Sequence, residues 1–371
     1  MNSNSTLQHL AFFTLNLLVI NSLYSQKYSN EFLSIGIGAR AQGMGNAVVA
    51  SIDDVTAGYW NPAGLASVDA DQGLQIGAMH AEWFAGVGKF DYLGLTLPFG
   101  NSNRRIGLSL VRFGIDDIPN TLSLFEADGT VNYDNIVSFS AADYAFLGSY
   151  AQKLRSSANH ELNFGGNVKI VRRVIGSFAN SWGFGIDIGA QYRVGKLKLG
   201  ATARDITTTF NAWHVTFTDK EKVVLQATGN ELPDINSIEV TKPQVLLGAA
   251  YAFQYKKLRF SPEVNLVATT DGKRNTLVSA DPVSLDPSAG IEVGYNEFLF
   301  LRAGISQFQK EKNFDGSDYL ISRPALGVGL QLFSLRVDYA FTNLGDSQNR
   351  YSLVVSLQWD LKPKKETVTS F

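Results

Sequence analysis

The chain has 371 residues, with 32 Lys and Arg against 34 Asp and Glu, a formal net charge of −2 and no cysteine. Only 18% of the residues are charged, where a soluble domain averages about 25%, while 12% are aromatic and 34 are glycine. This balance excludes a basic nucleic-acid binder, a disulfide scaffold, a thiol nucleophile and Cys-ligated zinc, and the 45% apolar content excludes disorder as the main state.

Residues 10–20, LAFFTLNLLVI, form an apolar run after a polar start. It falls short of the ~20 residues a membrane-spanning helix needs, and it suits the h-region of a secretory signal, although no Lys or Arg precedes it. Ser25 is a small residue just before Gln26, so residues 1–25 are predicted to be a signal peptide. No other run approaches spanning length. A membrane location therefore requires a closed β-barrel, since only helices and closed barrels satisfy every backbone group in lipid.

Residues 26–72 do not alternate and are predicted to form an N-terminal hatch or plug. From 73 to 361 a period of two recurs. Phe184, Ile186, Ile188, Ala190 and Tyr192 alternate with Gly185, Asp187, Gly189 and Gln191; Leu353, Val355, Leu357 and Trp359 alternate with Ser356 and Gln358. Each stretch thus has an apolar and a polar face. The stretches lie near 73–80, 88–98, 104–113, 142–152, 161–172, 182–192, 196–205, 244–254, 257–268, 288–295, 297–306, 324–332, 334–342 and 350–361. Fourteen is an even number, as single-chain outer-membrane barrels have. Connections alternate between short (100–103, 193–195, 254–256, 296 and 333, with 153–160 the longest) and mostly long (114–141, 205–243, 269–287, 307–323). Short periplasmic turns and long outer loops produce that parity, which places both termini in the periplasm. Residues 362–371 read as a periplasmic tail. The fold expected is all-β: a 14-stranded antiparallel transmembrane β-barrel with an N-terminal hatch segment.

Residues 35–67 read IGIGARAQGMGNAVVASIDDVTAGYWNPAGLAS. The string Gly38-Ala39-Arg40-Ala41, Gly43-Met44-Gly45, Asp53-Asp54 and Asn61-Pro62-Ala63-Gly64-Leu65-Ala66 resembles the N-terminal signature of the PorV/PorQ family, a branch of the FadL-like outer-membrane barrels. The close resemblance covers about residues 31–70. It implies work in the type IX secretion system of Bacteroidota: collecting exported proteins by their C-terminal sorting domains and passing them to surface attachment, beside other type IX secretion components. The wider FadL-like group carries hydrophobic small molecules past an N-terminal hatch.

Read from the residues themselves, Gly43 and Gly45 allow close backbone approach, and Asn61-Pro62 is a turn pair. Arg40, once enclosed, needs a carboxylate, which Asp53 or Asp54 can supply. Residues 47–50 could form a short helix behind Asn46, a good capping type. Arg40, Gly43, Gly45, Asp53, Asp54, Asn61 and Pro62 are the candidate hatch or gate residues. The polar strand faces carry Lys169, Asp187, Arg204, Arg259, Glu263, Glu292, Arg302, Arg336 and Asp338, both signs in similar number, as in a lumen closed by ion pairs. The stretch 205–243 is apolar for an outer loop, and Phe210, Trp213, Val215 and Phe217 are its candidate partner-binding residues.

Nothing points to catalysis. Gly36-x-Gly38 lacks a surrounding βαβ unit, no GxSxG occurs, and the four His are widely spaced. A non-enzymatic barrel in the outer membrane of a Gram-negative bacterium is expected, acting in type IX secretion. The alternative is a FadL-like transporter of hydrophobic small molecules. Secreted proteins and outer-membrane lipid are the expected partners, with no cofactor, metal or nucleic acid.

Overall fold

The computed structural model describes residues 29–68, 73–83, 86–126, 130–227, 236–342 and 352–361. The expected signal peptide and tail lie outside the described residues. The strands are β1 (Leu74–Trp83), β2 (Gly88–Phe99), β3 (Asn101–Asn120), β4 (Val137–Ser156), β5 (His160–Ile175), β6 (Ala179–Val194), β7 (Leu197–Arg204), β8 (Thr209–Val215), β9 (Asn236–Thr241), β10 (Gln244–Tyr251), β11 (Phe253–Tyr255), β12 (Leu258–Thr269), β13 (Ser284–Tyr295), β14 (Leu299–Lys312), β15 (Asp318–Leu332), β16 (Leu335–Thr342) and β17 (Ser352–Leu361). Every pairing is antiparallel, and β1 pairs with both β2 and β17, so the sheet closes on itself.

The 17 ladder segments make 14 staves. β7 follows β6 up to Ile188↔Ala203, residues 205–208 loop out, and β8 resumes on β6 at Phe184↔Phe210. Its neighbour is broken at the same level: β10 pairs β7, β9 pairs β8, and Lys242-Pro243 lies between them. Proline cannot donate to a ladder, which suits it to such a break. Asp205 and Thr208 take left-handed backbone (φ 54 and 63) to close the loop-out. Residues 205–243 are therefore mostly β8, a helix (Asp219–Ala227) and β9, not the long loop expected.

The expected strands all form, and several run further than expected at the long-loop end. β3 continues to Asn120 and β4 starts at Val137, so each has 20 residues; β14 and β15 leave only 313–317 between them. Twenty residues extend ~66 Å along a strand, well past an apolar band ~25 Å tall even with a tilt of ~45°. Above that band both faces are wet, so the alternation that marks a spanning stretch ends while the ladder continues.

Outward positions are apolar and exposed, as at Leu108, Phe164, Val168, Val355 and Trp359, and inward positions are buried, as at Ser149, Asn167, Lys169 and Asp187. No helix among the described residues is long and apolar enough to cross a membrane. The lumen holds the hatch. A 3-10 turn (Glu31–Ser34), a helix (Ala39–Gly43), a helix (Ala57–Trp60) and a second 3-10 turn (Pro62–Ser67) fold into it. Ile37, Ala39, Ala47, Val48, Val49 and Ala57 are completely buried, and the core forms where the plug meets inward wall residues such as Phe90, Val111 and Val354.

Candidate functional site

The hatch is held first by charge. The Arg40 guanidinium meets Asp53 at 2.9 Å and Asp54 at 3.4 Å, the pairing expected from the sequence, and also Glu292 of β13 at 3.3 Å. Glu292 in turn accepts from Arg302 at 2.7 Å and lies 3.4 Å from Arg336, while Asp338 meets Arg302 at 2.8 Å and Arg336 at 2.9 Å. One hatch arginine thus joins a buried network on β13, β14 and β16. Asp53 also faces Lys198 of β7 at 3.5 Å. Burial alone would raise the Asp53 carboxyl, but Lys198 and Arg40 together bring it down to about 2.

It is held second by contact of backbone on backbone. A β-carbon on Gly304 would lie 2.1 Å from the Met44 carbonyl carbon, and one on Gly165 would lie 2.6 Å from that of Pro62. Gly200, Gly248 and Gly290 approach the Val49–Ala50 and Met44 backbone in the same way, and Gly43 lies against Gly327. These inward wall glycines occupy the polar faces noted in the sequence. Their reason is steric, not polar: each leaves room for the plug to touch the wall. Gly45 (φ 62) turns the hatch against the Ile305 backbone, where a side chain would be both strained and blocked.

Asn61 is fully buried. Its Nδ2 donates to the Val49 carbonyl at 3.0 Å and to the Ala190 carbonyl of β6 at 3.1 Å, and its Oδ1 accepts from the Ala63 amide. Pro62 opens the second 3-10 turn beside it. The helix expected over 47–50 does not form. Asn46 instead has φ 65, and its side chain donates to the Ile35 carbonyl. The Val49–Ala50 backbone is shaped by the wall it lies on.

Above the hatch, at the long-loop end, stands a cavity of about 470 Å³. The hatch contributes Ile35, Asn46 and Trp60, the wall Trp83, Leu246 and Val267, and five charged residues, Glu31, Arg204, Arg274, Asp286 and Arg323, line it among polar neighbours. Arg204 stacks over the rings of Tyr59 and Trp60, 4.7 and 5.6 Å from their centroids, and donates to the Tyr59 carbonyl. Nearby, buried Lys169 binds Asp205 at 2.6 Å and Asp187 at 3.2 Å, bracing the wall where β7 breaks.

The hatch begins at this upper end. Asn30 donates to Thr241 of β9 at 2.8 Å, and Glu31 meets Arg274 at 2.9 Å. Burial would lower the Arg274 pKa, but Asp271 and Glu31 hold it above the usual value. Leu74 and Leu361, the barrel's two ends, pair at the short-turn end. The two ends of the barrel thus lie on one side, while the first described residues of the hatch stand at the opposite end.

Three of the four expected partner-binding residues stand on a strand, and Phe217 lies in the connection that follows it. Phe210, Trp213 and Val215 belong to β8. Trp213 donates to Glu239 at 2.8 Å and lies under Arg173, while Phe217 packs on Phe178 with ring centroids 5.7 Å apart. Phe210 is outward and half exposed. Among the described residues, no three His, Cys, Asp or Glu side chains stand close enough to hold a metal.

No family model and no curated protein matches the sequence. Solved structures do match the fold. A Pseudomonas aeruginosa FadL homologue aligns over 87% of this chain and 98% of its own, with TM-score 0.53 and 13% identity. The CymD monoaromatic hydrocarbon channel aligns over 89% and 98%, with TM-score 0.54 and 11% identity. The Pseudomonas putida toluene transporter TodX aligns over 88% and 98%, with TM-score 0.52 and 12% identity. The closed 14-stranded barrel with a plugged lumen is the fold of the FadL-type outer-membrane barrels.

Proposed function

We propose that the protein lies in the outer membrane of a Gram-negative bacterium, long loops outward, and passes a small hydrophobic or amphipathic molecule through the cavity above its hatch. The observation that carries this reading is the cavity of about 470 Å³ standing on the plug of a FadL-type barrel. Trp60, Trp83, Leu246 and Val267 offer it apolar surface, and the rest of the lining is mostly polar or charged, which suits a ligand with a polar end. The fold is shared with a toluene transporter and a monoaromatic hydrocarbon channel. The test is uptake of toluene and of a long-chain fatty acid by cells that carry the protein or Leu246→Trp, which narrows the cavity. Uptake of one of them should fall about tenfold in the variant with the barrel still assembled; equal uptake would defeat this reading.

A second reading, capture of exported proteins by their C-terminal sorting domains in type IX secretion, has its own support. The string 35–67 resembles the PorV/PorQ signature. The hatch also meets the wall backbone at Gly165, Gly200, Gly290 and Gly304, a seal that a protein carrier can keep and a lumenal channel must open. On this reading Arg40, Gly43, Gly45, Asp53, Asp54, Asn61 and Pro62 keep the barrel shut rather than gate it. Partner contact falls to the β8–β9 projection with Phe210, Val215 and Phe217. Recovery of secreted C-terminal domains on the purified protein, lost when residues 216–235 are shortened, would favour it.

A further inference from the structure

The lipid-facing side of the barrel carries a furrow. Gly148 of β4 and Gly166 of β5 are outward positions without side chains, and they are diagonal neighbours, Gly148 opposite Val168 and Gly166 opposite Tyr150. Leu95, Leu108, Tyr150, Phe164, Val168 and Ile188 enclose a space of about 610 Å³ around them, and almost all of its surface is apolar. Leu108, Val168, Phe164 and Tyr150 are each 40–60% exposed, so nothing in the chain fills it. Toward the short-turn end the same face turns basic. Arg104 stands opposite Gln152, and Arg155 opposite Leu162. Both are exposed, and neither has an ion-pair partner among the described residues. Between them and the furrow the Tyr150 hydroxyl donates to Gln152 at 3.0 Å.

We propose that this furrow is a binding site for one phospholipid of the leaflet at the short-turn end, an acyl chain lying over Gly148 and Gly166 and the phosphate against Arg104 and Arg155. A dent in a wall that faces hydrocarbon is filled by hydrocarbon, because an empty one forfeits its dispersion contacts and water would find no polar partner there. The two arginines select the lipid rather than a free alkane. Guanidinium groups bind phosphate through paired hydrogen bonds, and basic residues at a membrane surface draw anionic headgroups. Arg104 is four residues from Leu108, ~13 Å along the strand, so an extended lipid reaches from one to the other. The proposal rests on membrane residence.

The test uses the full-length protein purified from membranes in mild detergent, with bound lipid counted by native mass spectrometry and by titration with phosphatidylglycerol or dodecane. Gly148→Leu raises the floor of the furrow where the acyl chain would lie, and its β-carbon is sterically clean because no atom lies within 4 Å of it. It should lower retained phospholipid about tenfold while the variant still fractionates with the outer membrane. Arg104→Gln with Arg155→Gln should weaken phosphatidylglycerol by a similar factor and leave dodecane unchanged. Unaltered lipid retention by Gly148→Leu, or equal displacement by dodecane whatever residues stand at 104 and 155, would overturn the site while leaving the membrane barrel intact. A wild-type protein found outside the membrane fraction would overturn both.

Discussion

Gly148 and Gly304 are both strand glycines on the same barrel, and they have opposite surroundings. A β-carbon on Gly148 would meet nothing within 4 Å, whereas one on Gly304 would strike the Met44–Gly45 backbone at 2.1–2.2 Å. The first opens a furrow toward lipid and the second admits the plug. The difference shows how a chain with few charges and many glycines is built. Its inner face is shaped by the hatch it must touch, and its outer face is shaped by hydrocarbon. Glycine on the inner face is a contact, while glycine on the outer face is a gap.

The comparison can be broken hardest at the charges of the inner face. Glu292→Gln leaves Arg40, Arg302 and Arg336 short of one buried carboxylate. Removing one member of a buried ionic network costs about 3–5 kcal/mol, so the variant should lose hatch packing and unfold at markedly lower denaturant in detergent. On the outer face, Val355→Arg should cost about 2–4 kcal/mol if the residue sits near the bilayer midplane. The inward Gln358→Lys, three residues before Leu361 on β17 and beside Asp360, should cost less than 1 kcal/mol. Ser356 is a poorer inward control, because its hydroxyl accepts from the Ala39 amide of the hatch at 3.2 Å. Equal damage from Val355→Arg and Gln358→Lys would mean that the assigned faces are wrong, since a one-residue slip exchanges them.

Smaller effects sharpen the same contrast. Gly304→Ala should destabilise by about 1–3 kcal/mol, the usual range for overpacking, because backbone rather than a flexible side chain blocks it. Gly148→Ala should stay within about 0.5 kcal/mol of wild type, as surface substitutions do; paired denaturation curves separate the two. A further effect follows pH. Asp53 titrates near 2 in the folded chain, below the ~3.9 of an unfolded Asp. Its contribution is therefore complete above about pH 4 and disappears as the pH falls toward 2. Asp53→Asn should flatten the acid limb of the stability curve in that interval and lower the stability at pH 7, where the wild-type contribution is complete.

Much of the barrel was legible in the sequence because lipid on one side and plug on the other impose period two on each spanning stretch. Phe184 to Tyr192 and Leu353 to Trp359 have the outward faces expected of them. Arg40 with Asp53 and Asp54 was legible because an enclosed cation requires an anion, and the short hatch offers few. Glu292, 252 residues away, carries no local signal that it meets Arg40. The upper parts of β3 and β4 were hidden because nothing enforces alternation above the membrane. β8 read as an apolar loop for a related reason: the loop-out at 205–208 and Lys242-Pro243 interrupt two staves, and a broken pattern resembles a connection. The inward glycines were visible as glycines, but their partners in the hatch depend on how the barrel closes.

The central claim is that residues 29–68 are seated inside the barrel and touch its wall. The chain has no cysteine, so one introduced pair reports directly. A β-carbon on Gly58 of the hatch would lie 3.8 Å from that of Ser149 on β4, within the ~3.5–4.5 Å separation of a disulfide. Gly58→Cys with Ser149→Cys should therefore oxidise in the assembled protein, giving a faster-migrating unreduced species with neither thiol open to alkylation. If both thiols stay free and alkylate in the folded, membrane-inserted protein, the hatch is not where this account places it.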